Sequence, residues 1–277
     1  MYLFIVCMPY SGSTLLWKII QSSLSVSALP KEGAQLIGLG RPTFDFVQSS
    51  ELQFPWANAK INWLQLWDTD KSILLEKSPA YIHQADKIPE HFSPASFIIL
   101  VRNPYAFCEG NVRRRRRRGM EYTYEESARL WVRCAESQLQ NQQRLENSTL
   151  IRYEDLAGHT ETVLQKLKDT IPDLGDINPG QVKTFTVMGR TKEIKNINAA
   201  KIKMLTPSNI KSINTVLAEK TNLMQHYGYE IIASSDSSKL KAIRYKAAAR
   251  ITRLAKWLSR KGVISDKTKN KINGIAN

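Results

Sequence analysis

IVCMPYSGSTLLWKII, residues 5–20, joins a short apolar run to an amphipathic helical pattern through a turn of small residues. A strand, a Ser-Gly-Ser-Thr turn and a helix in this order leave several backbone N–H groups without partners at the helix N-terminus. The helix dipole makes that end positive, so such a turn is a ready site for an anion, most often a phosphate. The stretch therefore predicts a phosphate-binding connection between a strand and a helix.

Further apolar runs alternate with helical patterns along the chain. Strands are predicted at 2–8, 72–76, 96–101 and 149–153, and helices at 13–23, 104–118, 124–146, 160–169 and 207–226. This alternation predicts an α/β fold, a three-layer sandwich around a central parallel sheet. Ligands of such sheets bind beyond the C-terminal strand ends, where residues 9–14, 77–79 and 102–104 are expected to meet.

The charge of the chain is uneven. The 277 residues carry a formal net charge of +15, which favours acidic partners such as phosphates, acidic sugars, nucleic acid or an anionic membrane face. The last 42 residues hold 12 Lys and Arg against two Asp, a net charge of +10. We predict a main domain of residues 1–233 and a basic amphipathic C-terminal extension of residues 234–277. A helix over 239–261 would suit either a peripheral contact with an anionic membrane or docking on the protein itself.

The cysteines and the N-terminal run indicate the compartment. Cys7, Cys108 and Cys134 form no CxxC pair and are predicted to be free thiols. The first apolar run is too short for a secretory signal or a membrane span. We expect a cytoplasmic protein, with membrane contact limited to the periphery.

The Ser-Gly turn departs from the loop that binds nucleoside triphosphates. That loop reads GxxxxGK[ST], and here only Gly12 and Thr14 fit it, which disfavours ATP hydrolysis. The stretch Pro9-Tyr10-Ser11-Gly12-Ser13-Thr14-Leu15-Leu16 instead resembles the 5'-phosphosulfate loop of sulfotransferases that use 3'-phosphoadenylyl sulfate (PAPS), commonly Pro-Arg-Ser-Gly-Thr-Thr-Leu-Leu. A tight strand-to-helix turn without a ligand is the alternative.

Four more segments resemble elements of the same family, in the same order. They are LLEKSPAY (74–81), FIILVRNPYAFCEG (97–110), LIRYEDL (150–156) and YGYE (227–230). In the second, Arg102 resembles the family's 3'-phosphate ligand, because a guanidinium can hold a phosphate through two bonds and stay charged. The resemblance implies a P-loop-like sulfotransferase domain over residues 1–233 that uses PAPS and requires no metal.

The resemblance also implies roles for single residues. Residues 9–14 bind the 5'-phosphosulfate through amides and hydroxyls, while Arg102, Gly110 and Arg190 belong to the cofactor site and Lys77 stabilises the transferring group. Glu32, in LPKEGAQL, stands near the position of the general base in carbohydrate and tyrosylprotein sulfotransferases. An exposed loop carboxylate is the alternative for Glu32, and Glu76 is the reserve candidate.

Two residues depart from the family pattern. Tyr10 stands where relatives carry Arg or Lys, which removes a cation from beside the leaving phosphate. Gly110 stands where relatives usually place a serine hydroxyl on the 3'-phosphate. Such groups are worth about 10²- to 10³-fold in rate, so the losses need compensation. Lys18, Lys77 and the arginines after Val112 are candidates to supply the charge.

The run RRRRRR, Arg113–Arg118, invites a nucleic-acid interpretation. Six consecutive helical residues cover every face of a helix, however, and the run lies close in sequence to Arg102. Binding of the cofactor or of an acidic acceptor is therefore favoured over nucleic acid, with a solvated helix end as the alternative.

The sequence thus predicts an enzyme that moves a sulfuryl group from PAPS to a hydroxyl of a carbohydrate, an acidic one included, or of another small acceptor, releasing adenosine 3',5'-bisphosphate. A catalytically degenerate member of the family, or a basic module that binds a polyanion or a membrane, is the alternative. The acceptor and the oligomeric state are not encoded in any recognisable motif.

Removal of the C-terminal extension tests the predicted division of the chain. A protein that ends at Ser238 should bind adenosine 3',5'-bisphosphate as tightly as the full chain, because every motif precedes the cut. Isothermal titration calorimetry on both proteins measures this, and loss of binding in the shortened chain would show that the extension belongs to the core.

Overall fold

The computed structural model describes residues 1–39, 43–175, 177, 184–187 and 190–233, without the side chains of 184–187 and 190–193. The C-terminal extension predicted for 234–277 lies outside the described residues, as does the side chain of Arg190.

Five parallel strands form the central sheet in the order β2-β3-β1-β4-β5. The strands are β1 (Tyr2–Cys7), β2 (Val26–Ala28), β3 (Ile73–Ser78), β4 (Ala95–Val101) and β5 (Ser148–Arg152). A separate antiparallel pair consists of β6 (Thr184–Val187) and β7 (Arg190–Glu193). Since β1 pairs with both β3 and β4, the turn that follows it lies at the centre of the carboxyl edge of the sheet.

Helices connect these strands. They are α1 (Ser13–Ile20), α2 (Thr43–Gln48), α3 (Trp56–Leu64), α4 (Ile88–His91), α5 (Pro104–Arg117), α6 (Tyr124–Arg144), α7 (Tyr153–Gly158), α8 (Thr160–Thr170), α9 (Asn198–Ile202), α10 (Pro207–Leu217) and α11 (Thr221–His226). Local sequence sets several of their ends. Asn103 accepts hydrogen bonds from the first N–H groups of α5, and Thr123 and Glu126 form a capping box at α6.

Both faces of the sheet are buried, which explains the unbroken apolar runs in the sequence. In β1, Leu3, Ile5 and Cys7 pack in a cluster with side chains of α1 and α8. The alternate residues, Phe4 and Val6, pack in a second cluster with side chains of α3, α5, α6 and α10. This arrangement confirms the predicted three-layer α/β fold.

The four predicted strands are confirmed, with ends that agree to within two residues. The stretch 33–70, where the sequence predicts neither a strand nor a helix, contains α2 and α3, and its tryptophans Trp56, Trp63 and Trp67 are buried among other aromatic rings of the core. The helix predicted at 207–226 is broken into α10 and α11 by a 3-10 turn at Ala218–Lys220. Gly228, just beyond α11, has a left-handed φ of 69°, which is typical of a glycine that ends a helix.

Cys7, Cys108 and Cys134 are buried free thiols, as the sequence predicts. Burial raises the pKa of each to about 12, so these thiols stay protonated. Over the described ranges, no helix combines the length and the apolar character needed to cross a membrane.

Candidate functional site

The Ser-Gly turn, residues 9–14, connects β1 to α1 through two left-handed residues. Tyr10 has φ 61° and Gly12 has φ 89°, and the Ser11 hydroxyl donates a 2.7 Å hydrogen bond back to the Met8 carbonyl. The Gly12 carbonyl accepts the first helical bonds, from the N–H groups of Leu15 and Leu16. In the described part of the chain, the N–H groups of Gly12, Ser13 and Thr14 find no acceptor. The turn therefore offers a row of open donors at the positive end of a helix, as predicted.

Gly12 is required where it stands, because the ring of Tyr153 lies directly against its backbone. A β-carbon on residue 12 would lie 2.4 Å from Cδ2 of Tyr153. The ring also contacts Arg102, whose guanidinium carbon lies 3.9 Å from the ring centroid. The Tyr153 hydroxyl donates to the Lys195 carbonyl at 3.1 Å, which fixes the ring. Tyr153 thus contacts both the Ser-Gly turn and Arg102, a role that sequence reasoning did not assign to it.

Arg102, at the end of β4, is bound to the Ser-Gly turn. Its Nη1 donates to the Tyr10 carbonyl at 2.8 Å, and its Nε and Nη2 donate to Oδ1 of Asn198 at 2.9 and 2.7 Å. The residue is 4% exposed, and no carboxylate among the described residues forms an ion pair with it. Burial lowers the pKa of Arg102, yet a guanidinium remains charged throughout the physiological range. A buried guanidinium whose hydrogen-bond acceptors are all neutral favours the binding of an anion beside it.

Glu154 joins three of the sequence motifs in one hydrogen-bond network. It accepts from the Asn103 backbone N–H at 2.9 Å, from the Tyr229 hydroxyl at 2.9 Å and from the Asn198 side-chain amide. The segments that begin at Arg102, Tyr153 and Tyr227 therefore meet around a single carboxylate. This geometry suits a structural role for Glu154, which holds the ends of the strands together.

Glu32 and Lys77, the two predicted catalytic residues, form an ion pair. Lys77 Nζ lies 2.7 Å from Oε1 of Glu32, and the side chains are 6% and 26% exposed. Lys77 belongs to β3, where it pairs with Ile5 of β1, two residues before the end of that strand. Lys77 thus lies on the strand adjacent to the one that leads into the Ser-Gly turn, and Glu32 lies in the loop that follows β2.

Glu76 positions the loop that carries Glu32. Its carboxylate accepts from the Gly33 N–H and the Ser78 hydroxyl, each at 2.7 Å, and from the Tyr81 hydroxyl. Trp63 Nε1 donates to the Gly33 carbonyl at 3.1 Å, which fixes the same loop from α3. Burial raises the pKa of Glu76 to about 7, although its three donors oppose the rise. Because protein donors engage both of its oxygens, Glu76 suits positioning better than the reserve role of base.

Tyr10 and Gly110, the two residues that depart from the family pattern, each have a cationic neighbour. The guanidinium carbon of Arg114 lies 6.0 Å from the ring centroid of Tyr10. Gly110 of α5 lies against Lys201 of α9, whose Nζ is 3.0 Å from the place of a β-carbon on residue 110. Lys18 lies in the last turn of α1, where it donates to Gln21. Lys201 lies outside the five segments that resemble the family, so the sequence did not single it out.

The arginine run does not form one uniform surface. Arg113 pairs with Glu109 at 2.8 Å, and Arg115 lies between the rings of Phe44 and Tyr122, 3.9 and 4.2 Å from their centroids. Arg116 donates to the Tyr122 carbonyl at 3.1 Å. At least these three arginines therefore help to hold the structure around α5.

Comparisons with known proteins agree with this geometry. A sequence model described as the sulfotransferase family matches residues 3–171. The fold is similar to that of the sulfotransferase domain from the Synechococcus PCC 7002 olefin synthase, with 22% identity, a TM-score of 0.55, and coverage of 83% of this chain and 95% of that one. It is also similar to the sulfotransferase STF9 from Mycobacterium avium, with 10% identity, a TM-score of 0.50, and coverage of 83% and 78%. No curated protein matches the sequence.

Gly12→Ala tests the contact between the Ser-Gly turn and Tyr153. At a φ of 89° a β-carbon costs about 1–2 kcal/mol, and the clash with the Tyr153 ring adds to this cost. We expect a lower melting temperature and weaker binding of adenosine 3',5'-bisphosphate. Gly158→Ala is the matched control, because a β-carbon there has open space around it. Equal melting temperatures for the two variants would contradict the assigned geometry.

Proposed function

The chain belongs to the sulfotransferase family, and from that premise we propose that it transfers a sulfuryl group from PAPS to a hydroxyl of a carbohydrate or another small acceptor. Adenosine 3',5'-bisphosphate is the second product. Sulfuryl transfer resembles phosphoryl transfer in its demand for in-line positioning and for neutralisation of charge on the leaving oxygen.

The hydrogen bond from Arg102 to the Tyr10 carbonyl is the observation that carries the proposal. It joins two anion-binding features that are 92 residues apart in the sequence, the open amides of the Ser-Gly turn and a buried guanidinium. PAPS bears a phosphosulfate on the 5' side of its ribose and a phosphate on the 3' side. The open amides and the guanidinium lie together at one edge of the sheet. This arrangement suits a nucleotide that carries anionic groups on both the 5' and the 3' side of its ribose.

The pair of Glu32 and Lys77 supplies the groups that the transfer needs. In the proposed reaction Glu32 takes the proton of the acceptor hydroxyl as the acceptor oxygen forms its bond to sulfur. The bond between sulfur and the bridging oxygen breaks, and its electron pair stays on the 5'-phosphate. Lys77, held beside Glu32 at 2.7 Å, neutralises negative charge on the transferring group.

The substitution of Tyr10 is compatible with this chemistry. Burial raises the pKa of Tyr10, so its hydroxyl stays neutral and adds no negative charge at the leaving phosphate. Arg114, whose guanidinium carbon lies 6.0 Å from its ring centroid, takes the part of the arginine or lysine of relatives in this proposal. The same arginine offers a contact to an acidic acceptor.

Donor binding is tested with Arg102→Gln. We expect affinity for adenosine 3',5'-bisphosphate to fall about 10- to 100-fold, the worth of a hydrogen bond to a charged group. Titration calorimetry measures it, and Arg129→Gln, on an exposed part of α6, should bind like the unchanged protein. Salt-sensitive binding of nucleic acid or anionic vesicles that survives Arg102→Gln, without affinity for the nucleotide, would instead favour the basic binding module.

Glu32→Gln tests the base. We expect the rate of ³⁵S transfer from labelled PAPS to a panel of sugars, phenols and alcohols to fall by about 10²- to 10⁴-fold. Affinity for adenosine 3',5'-bisphosphate should be retained, since the change leaves the amides and Arg102 intact. Glu51→Gln, an exposed carboxylate of the following segment, is the control. Donor binding without label transfer to any acceptor in the unchanged protein would identify a catalytically degenerate member.

A further inference from the structure

The side chain of Lys201, on α9, packs against Glu109 and Gly110 of α5. Its Nζ lies 2.6 Å from Oε2 of Glu109, with side-chain exposures of 11% and 0%. The same ammonium lies 3.0 Å from the place of a β-carbon on Gly110, so the absence of a side chain at residue 110 makes room for it. The lysine side chain from α9 therefore occupies the space that a side chain at residue 110 of α5 would need.

The charges around Lys201 leave an excess of positive charge. Glu109 is shared between Lys201 and Arg113, since its second oxygen lies 2.8 Å from Arg113 Nε. Arg102 lies close enough to Lys201 for the two cations to repel each other. Glu154 and Glu109 both attract Arg102, so Lys201, Arg102 and the partly exposed Arg113 share two carboxylates. Removing such an excess from water is costly, and an anionic ligand would offset the cost.

The helix that carries Lys201 also binds Arg102. Asn198 begins α9 and accepts two hydrogen bonds from Arg102, and Lys201 follows three residues later on the same face of the helix. The nearest atom of the Ser-Gly turn is Cβ of Tyr10, 4.0 Å from the β-carbon position of Gly110. Lys201 is therefore placed beside Arg102 at the edge of the predicted nucleotide site.

We propose that Lys201 is a second phosphate-binding cation beside Arg102 and that it makes the protein select an adenosine nucleotide with a 3'-phosphate over one without it. The proposal rests on the proposed function. An ammonium is a compact point charge that binds phosphate without fixed geometry, so it can take the place of the hydroxyl that Gly110 lacks. Glu109 holds the ammonium in position and leaves part of its charge for the ligand.

The test compares two nucleotides that differ in the 3'-phosphate alone, adenosine 3',5'-bisphosphate and adenosine 5'-monophosphate, by titration calorimetry. In Lys201→Met, affinity for the bisphosphate should fall about 10- to 100-fold, while affinity for the monophosphate should stay within about twofold. Retained monophosphate binding shows that the variant is folded. Lys203→Met, an exposed lysine beyond the end of α9, is the matched control and should keep the preference.

Each outcome separates the two proposals. If the unchanged protein binds neither nucleotide, the proposed function fails. If it prefers the bisphosphate and Lys201→Met keeps that preference, the proposed function stands and the role of Lys201 is wrong. Equal affinity of the unchanged protein for both nucleotides also overturns the role of Lys201.

A measurement on the unchanged protein covers the case in which Lys201→Met does not fold. Burial lowers the pKa of Lys201 to about 8, against the opposing effect of Glu109, while Arg113 and Arg102 add to the decrease. The ammonium is charged below that pH and loses its proton above it. The ratio of bisphosphate to monophosphate affinity should therefore fall between about pH 7 and pH 9.5, by at most tenfold per pH unit. A constant ratio over this range would overturn the role of Lys201.

Discussion

The arrangement of the site depends on one buried cation at the end of β4. Arg102 binds the Tyr10 carbonyl and the Asn198 side chain and stacks on Tyr153, so it connects the Ser-Gly turn, α7 and α9. Its hydrogen-bond acceptors are neutral oxygens, while Glu154 and Glu109 attract it without forming an ion pair with it. A guanidinium in this state is preorganised for an anion, because its direction is set before any ligand arrives.

The parallel sheet makes this arrangement possible. Parallel strands end at the same edge, so the turn after β1 and the ends of β3 and β4 become neighbours although long helical segments separate them in the chain. Glu76 and Glu154 then act as braces, each accepting hydrogen bonds from segments that would otherwise be free loops. Carboxylates that hold the frame are thus distinct from Glu32, whose partner is the Lys77 ammonium.

The two residues that depart from the family pattern each lie next to a cation. The Arg114 guanidinium of α5 lies 6.0 Å from the ring centroid of Tyr10. At Gly110 the Lys201 ammonium from a helix remote in the sequence takes up the space that a larger residue would fill. The charge beside each residue is therefore set by the helices that pack around it.

The sequence by itself determined the fold class, the order of the main strands and the Ser-Gly turn, since each depends on local apolar patterns and on short-range turn chemistry. It also pointed to Arg102, because an arginine directly after a buried strand must lie at the sheet edge. Only the tertiary structure decided the contacts of Tyr153 and Lys201. These depend on which distant segments come together, and neither periodicity nor motif spacing encodes a pairing between α5 and α9.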